Sequence, residues 1–410
     1  MSEGRPGALV LGSDFRGLAA VRALGRKGIP SFVVCNDPRS AWYSRYSVGR
    51  ERWAGKLHGD DFRDYLLELA DRRGLRGWVL YALQDETVET VAENAGVLGD
   101  VYRLTTPGWD SARRALDKHL MNELADLVGI PYPKTWYPKG AQDLTWLNLT
   151  YPVLVKPTMS TWLQHSMRRK ALWAHDFAEL RESYRTLAAL VPPEEIVVQE
   201  AIAGDGHTQV SAAVFCRDGE VLGGMTARRT RQYPIDLGLS SCYVEAMPVP
   251  GLIELASSLV EELGLSGVAE VEFKQDERDG RYKLLDINVR LWGWHGLCVP
   301  CGMDFTSLLY QQAMGQDVKP AGPVYGWRWR RMLTDLPAAL QEMRAGITTP
   351  WGYLASFARG RTVPSVFAAD DPLPGVADIA VAVRRASKRT LNRRCRAATG
   401  HAPLLPDRSG

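Results

Sequence analysis

Val271-Glu272-Phe273-Lys274, the turn Asp276-Glu277-Arg278-Asp279-Gly280 and then Leu285-Asp286-Ile287-Asn288-Val289-Arg290 form the stretch that decides the reading of this chain. Alternating apolar and polar residues over 268–275 and 282–289, separated by a turn that ends in glycine, predict a two-stranded hairpin. Side chains of a strand alternate between faces, so Asp286, Asn288 and Arg290 share one face and the hairpin sets Glu272 opposite them. Two carboxylates and an amide oxygen then converge. Hard oxygen donors of this kind suit a magnesium ion held jointly with nucleotide phosphates, because magnesium keeps several waters and takes few protein carboxylates. Beside them, Arg290 offers a planar fork for a phosphoryl or carboxylate oxygen. The alternative is a solvated polar face with the acids paired to Lys274 or Arg290.

Upstream, residues 8–11 (ALVL) run apolar up to Gly12, a helical pattern spans 15–26, Gly28-Ile29-Pro30 breaks it, and residues 32–35 are apolar again. This is a β-α-β unit. A helix over 61–73, a strand over 78–81 and a helix over 85–94 extend it into an open, mostly parallel α/β domain covering about 1–115. One helix over 111–128 carries Lys118 and is broken by Gly129-Ile130-Pro131. A second unit, 116–320, then reads as a strand at 153–156, a helix at 176–190, a strand at 196–200, a helix at 252–263 and two hairpins. In the earlier hairpin, 209–216 and 221–227 are joined by Arg217-Asp218-Gly219-Glu220, a strong turn signal. Residues 321–410 form a smaller segment with a basic, helical tail.

The strand ending in Glu-Phe followed by an acidic-X-Asn-X-Arg strand resembles the metal-binding segment of the ATP-grasp superfamily. Other residues fall in the order that superfamily shows. Lys118 looks like its first nucleotide lysine and Lys156, in Val155-Lys156-Pro157, like the second. Gln199-Glu200-Ala201-Ile202-Ala203-Gly204 is similar to its hinge, where Glu200 and the backbone of Ala201 and Ile202 would recognise adenine. The resemblance covers about residues 5–320. It implies a Rossmann-like domain ahead of a two-subdomain ATP-grasp fold, ATP and Mg2+ as cofactors, and Glu272, Asp286 and Asn288 as metal ligands. Leu11-Gly12-Ser13-Asp14, Ser44-Arg45-Tyr46, Asp85-Glu86 and Arg231-Gln232-Tyr233-Pro234 further resemble the branch of predicted ATP-dependent carboligases that includes D-aspartate ligase-like carboxylate-amine ligases. Two departures stand out. The stretch 158–166 after Lys156 has no glycine, so Ser160, Thr161 and backbone amides would have to hold phosphate there. Gly206 occupies the place of the usual ribose-binding acid, which leaves Asp205 for that task.

The implied activity is amide or peptide bond formation between a small-molecule carboxylate and an amine, amino acids or peptides by class, through an acyl phosphate. Arg290, Arg231 and Arg228 would steady the developing negative charge. Two rival readings accompany it. Gly12 to Gly17 with Asp37 has the outline of a dinucleotide-binding turn, but it lacks the middle glycine and leaves the Glu272, Asp286, Asn288 group unexplained. A nucleotide-binding regulator without catalysis is the other. His295, in Trp292-Gly293-Trp294-His295-Gly296, reads as a core or capping histidine before a proton carrier.

A net charge of +3 in 410 residues provides no global field for nucleic acid, and a hydrophobic share of 45% lies far from the disordered regime. No apolar stretch reaches the length of a bilayer span and no signal peptide is evident, so a cytoplasmic protein is expected. Six scattered cysteines, with a single CxxC at Cys298 and Cys301, read as reduced thiols. The basic run from Arg384 to Arg396 forms a solvated helix face in most proteins and a weak contact with an anionic surface in fewer. A homodimer is compatible with the chain.

Overall fold

The computed structural model describes residues 5–158, 171–236, 238 and 240–384. Its first sheet contains β1 (Ala8–Leu11), β2 (Ser31–Cys35), β3 (Ser47–Arg52), β4 (Val79–Ala82) and β5 (Arg103–Leu104), in the order β3-β2-β1-β4-β5 and parallel throughout. Every residue of β1, β2 and β4 is buried, as expected of central parallel strands covered on both faces, while edge strand β3 alternates.

A small antiparallel sheet follows, made of β6 (Thr135–Trp136), β7 (Val153–Pro157), β8 (Leu172–Ala174) and β9 (Ile196–Glu200) in the order β6-β9-β7-β8. The helix Phe177–Ala188, N-capped by the Asp176 side chain, covers it around a core of its own that includes Val153, Val155, Tyr184 and Val198. A large sheet completes the fold: β10 (Gln209–Arg217), β11 (Glu220–Tyr233), β12 (Ser240–Ala246), β13 (Gly267–Gln275), β14 (Tyr282–Asn288), β15 (Trp327–Arg330) and β16 (Arg361–Pro364), ordered β14-β13-β10-β11-β12-β15-β16. Its two faces share continuous cores with the first sheet and with the helix Leu252–Glu262. The small sheet is thus a separate lobe over a larger body.

The turn between β10 and β11 places Asp218 at φ 50° and Gly219 at φ 85°, the two positive values that the Asp-Gly pair supplies most cheaply.

Three expectations are corrected. The helix over 111–128 is two helices, Trp109–Leu116 and Lys118–Leu127, because the Asp117 carboxylate accepts from the backbone N–H of His119 and Leu120 and starts a new helix. β11 runs on to Tyr233 rather than ending near 227, so Arg228, Arg229 and Arg231 all lie on one strand. The C-terminal segment is not purely helical: β15 pairs with β12 and β16 with β15, so the sheet continues across the boundary drawn at 321.

That segment is also fastened to the first sheet's domain. Arg22 pairs with buried Asp371 at 3.0 Å, and Asp371 accepts from the Ser44 hydroxyl at 2.7 Å and the Arg45 backbone N–H at 3.0 Å. Tyr46 donates its hydroxyl to Asp370 at 2.8 Å, and Arg26 meets the same carboxylate. The Ser44-Arg45-Tyr46 motif therefore has a local structural task. Among the described residues, no helix is long and apolar enough to cross a membrane, and Cys35, Cys216, Cys242, Cys298 and Cys301 are buried free thiols.

Candidate functional site

Between the small lobe and the body lies a cleft of about 750 Å³. Its floor is the β13–β14 hairpin. Register pairs Glu272 with Asp286 and Glu270 with Asn288, so two rungs of the ladder point four polar side chains into the cleft. Asn288 donates its Nδ2 to Glu270 Oε2 and to Glu272 Oε1, both at 3.2 Å, and this orientation turns its amide oxygen away from the two acids. Glu272 Oε2 accepts from Gln209 at 2.5 Å and from the Arg229 guanidinium at 3.0 Å. Asp286 is only partly covered and meets the buried Lys118 ammonium at 2.6 Å; Lys118 also donates to the Leu285 carbonyl at 3.0 Å.

Lys274 and Arg290, the alternative partners for these acids, bond elsewhere. Lys274 donates to the Ile202 and Gly204 carbonyls at 2.9 and 2.6 Å, and burial lowers its pKa despite the nearby Asp205. It ties the chain after β9 to the large sheet. Arg290 meets Asp85, at the start of the helix Asp85–Glu93 in the first domain, at 2.6 Å; burial opposes its charge and Asp85 restores it.

Lys156, near the end of β7, reaches across its own sheet to Gln199 Oε1 at 2.7 Å and lines the cleft from the small lobe. Glu200, at the end of β9, accepts from the Lys134 backbone N–H at 3.2 Å and from Arg278 at 2.5 Å. Burial raises its pKa, but Arg278 and its neighbours win and hold the carboxyl below its ordinary range. Ala201, Ile202 and Asp205 also line the cleft, with Asp205 capping a short turn through the His207 N–H at 2.7 Å. Ser160 and Thr161 lie outside the described residues.

Two of the three arginines proposed for anion contact are corrected. Arg228 is exposed and absent from the cleft lining, because strand alternation sends it to the face opposite Arg229. Arg231 lines the cleft but its fork is occupied, by Asp335 at 2.6 Å and Glu342 at 2.9 Å. Arg229, which lies between them in sequence, is the arginine that meets a floor acid.

Glu270 was missed as well. It is fully buried, accepts from Trp294 Nε1 at 2.6 Å, and burial together with the adjacent Glu272 charge pushes its carboxyl well above the ordinary range. Its position two residues before Glu272 on the same strand face was the available signal. His295 is a core residue: burial lowers its pKa to about 4, and its ring meets the Arg16 carbonyl at 3.1 Å and the Thr306 hydroxyl at 3.4 Å. In the first domain, Asp37 pairs with Arg39 at 2.7 Å.

The donor set fits a shared cation. Among the described residues, no three His, Cys, Asp or Glu side chains are grouped so as to hold a metal ion by themselves. An ion on this floor would draw on the Asn288 oxygen and on oxygens that the protein does not supply, which is how magnesium is commonly bound beside polyphosphates.

A family model described as ATP-grasp in the biosynthetic pathway with Ter operon matches residues 194–332. The D-aspartate ligase of Enterococcus faecium is 24% identical over 247 residues, 56% of this chain and 58% of that enzyme, so the match spans little more than half of the relative's length. The biotin carboxylase domain of 2-oxoglutarate carboxylase from Hydrogenobacter thermophilus, solved with MgADP and bicarbonate, superposes with a TM-score of 0.63 at 15% identity over 78% of this chain and 73% of that one. An L-amino acid ligase from Bacillus licheniformis gives 0.59 at 16% identity over 78% and 76%. The ADP complex of N5-carboxyaminoimidazole synthetase from Staphylococcus aureus gives 0.61 at 13% identity over 78% and 80%.

Proposed function

We propose that this chain, an ATP-grasp protein, is a carboxylate-amine ligase that uses ATP and Mg2+ to join two small molecules through an amide bond. The observation that carries the reading is the hairpin floor: Glu272 and Asp286 in one rung, Asn288 in the next, with Lys118 and Lys156 brought to the same cleft from separate elements.

In this reading Glu272, Asp286 and Asn288 hold the ion, which supplies charge neutralisation for the polyphosphate. Lys156 and Lys118 are point charges for phosphate oxygens. Glu200, Ala201 and Ile202 take the base, with Asp205 on the ribose side, and Ser160 and Thr161 remain proposed phosphate contacts. Phosphoryl transfer asks the protein mainly for alignment and charge balance. A carboxylate oxygen attacks the γ-phosphorus and ADP leaves. The amine nitrogen then attacks the acyl carbon, phosphate leaves with the bonding pair, and the amine gives up a proton to water. Arg290, buried at the edge of the floor and steadied by Asp85, is placed to hold the carboxylate and then the oxyanion; Arg229 stands beside it in place of Arg228. Two of the compared proteins, the D-aspartate ligase and the L-amino acid ligase, are named for amino-acid substrates, and that class is proposed here for the amine or the carboxylate.

The test is ADP release across a matrix of amino acids and short peptides, with mass spectrometry of the product. Release that needs both a carboxylate and an amine supports the ligase. Release that needs bicarbonate instead would assign carboxylation. Asp286→Asn should lower kcat by about two to three orders of magnitude, the scale of losing one preorganised charge contact, while urea unfolding stays close to the parent protein.

A further inference from the structure

The first domain brings a crevice of its own to the cleft. In its sheet the chain passes from β1 outward to β2 and from β4 outward to β5, so the strand order reverses between β1 and β4. The helices that follow these two strands pack on opposite faces, Leu18 and Val21 in one core and Val88 and Val91 in the other. Open parallel sheets bind ligands outside the carboxyl ends of their strands at such a reversal. Both turns found there, Asp14-Phe15-Arg16 after β1 and Asp85-Glu86 after β4, line the cleft together with Arg290. Apart from the Asp85 contact with Arg290, neither turn has a task in the nucleotide and metal contacts proposed above.

The first turn shows what the crevice suits. A Cβ on Gly17 would lie 2.2 Å from the Gly12 carbonyl oxygen, so that glycine serves the packing of helix on strand. Where a pyrophosphate would need bare backbone, the turn carries the Asp14 and Arg16 side chains instead. The crevice is therefore suited to a small charged molecule rather than to a dinucleotide.

Each side of the reversal holds one ion pair with one polar edge left over. Asp14 takes the Nε and Nη2 of Arg16 at 3.0 and 2.7 Å; burial opposes the Asp14 charge and Arg16 restores it, holding the carboxyl well below its usual range. Among the described residues nothing engages the Nη1 of Arg16, and that side chain stays 21% exposed. Asp85 gives Oδ1 to Arg290 at 2.6 Å, and among the described residues its Oδ2 has no donor, with the side chain 23% exposed. Phe15 and Trp292 supply aromatic wall at the same end. A donor edge on one turn, an acceptor oxygen on the other and apolar surface beside them match the two charges and the aliphatic body of a zwitterion.

We propose that this end of the cleft is the amine subsite of the proposed ligase, a reading on which the inference rests, and that the amine substrate is a free α-amino acid. Its carboxylate lies on the Nη1 edge of Arg16, and its nitrogen donates to Asp85 Oδ2, next to the Arg290 that holds the acyl group. The nitrogen thus faces the floor, and the carboxylate passes unchanged into the product.

Calorimetric titration of the full chain, loaded with Mg2+ and a non-hydrolysable ATP analogue, with the common amino acids in both configurations tests this. At least one should bind, and its α-amide should bind at least about tenfold more weakly. Arg16→Gln should weaken the amino acid to the same degree with nucleotide affinity unchanged, and Arg16→Lys should recover part of the loss. Binding by no amino acid, equal binding by the amides, or an Arg16→Gln variant that binds like the parent overturns the proposal. The amide comparison needs no variant and decides even where Arg16→Gln does not fold. ADP release separates the subsite from the ligase reading: release that runs equally well with amides sinks the subsite and keeps the ligase, whereas a bound amino acid that supports no release with any carboxylate sinks both. Mass spectrometry of the product should find the carboxylate of the bound amino acid free; an amide in which it supplied the acyl group overturns the proposal.

Discussion

Two charged clusters stand side by side on β11, built from the same residue types and put to different ends. At Arg231, two guanidinium groups, Arg231 and Arg330, face two carboxylates, Asp335 and Glu342, at 2.6 to 3.2 Å, flanked by the rings of Tyr243 and Tyr353. Charge sums to zero and every partner is buried. At Arg229, three carboxylates, Glu270, Glu272 and Asp286, crowd beside Arg229 and Lys118 at the cleft floor, and burial with the Glu272 charge pushes the Glu270 carboxyl well above its ordinary range. The balanced cluster is a fastening that holds the helix Met332–Arg344 to the sheet. The second lines a cleft, where crowded carboxylates are relieved by a ligand of opposite charge or by a proton.

Asp335→Ala should break the fastening most severely. It takes the carboxylate from Arg330 and leaves Arg231 with Glu342 alone in a buried site, and the loss is expected at about 3–5 kcal/mol in urea unfolding. His295 offers a third pattern, a buried ring with no carboxylate bonded to it. Its folded-state pKa is depressed to about 4, so the folded protein keeps it neutral while the unfolded chain takes up a proton below its ordinary value of 6.5. Its contribution is complete above pH 6.5 and is lost as pH falls toward 4, by roughly 3 kcal/mol. His295→Gln should flatten that limb of a stability-against-pH curve.

Glu270→Gln sharpens the cleft side. The new amide offers Asn288 a donor in place of an acceptor and turns its side chain, so Mn2+ affinity measured in the presence of a non-hydrolysable ATP analogue should fall about 10–100-fold. Stability should hold or rise, because a buried carboxyl whose charge is opposed by burial and by Glu272 gives way to a neutral amide. Equal loss of stability and metal affinity would place Glu270 with the fastenings. The smallest effect belongs to Asp117→Ala, which removes the cap of the helix that begins at Lys118 and should cost about 1 kcal/mol in thermal unfolding.

The hairpin was legible because alternation sets Glu272 with Asp286 and Glu270 with Asn288, the register shifting only after Glu272. The central strands β1, β2 and β4 of the first sheet were legible because they are short, largely apolar runs, whereas the polar edge strands β3 and β5 gave no such signal. Arg228 was misread because three arginines close in sequence look equivalent until the strand fixes which face each takes. The break at Asp117 was hidden by a helical pattern that continues on both sides of it. The fastenings at Arg22 and Arg231 were not legible at all: Arg22 and Asp371 lie 349 residues apart, and no local pattern announces such a partner. Glu270 stood in plain view but resembles any strand acid until Trp294 and Asn288 close on it.

The clasp at Asp370 and Asp371 also has a bearing on how the molecule comes into being. β1 to β5 are made well before the acidic counterpart of their helix Phe15–Gly25, because Arg22 and Asp371 are 349 residues apart. Until then Arg22 has a polar surface to wait in and no partner to bury against. The emerging polypeptide consequently keeps a seam open beside that helix, and synthesis of the stretch that carries Asp370 and Asp371 is the event that draws it shut.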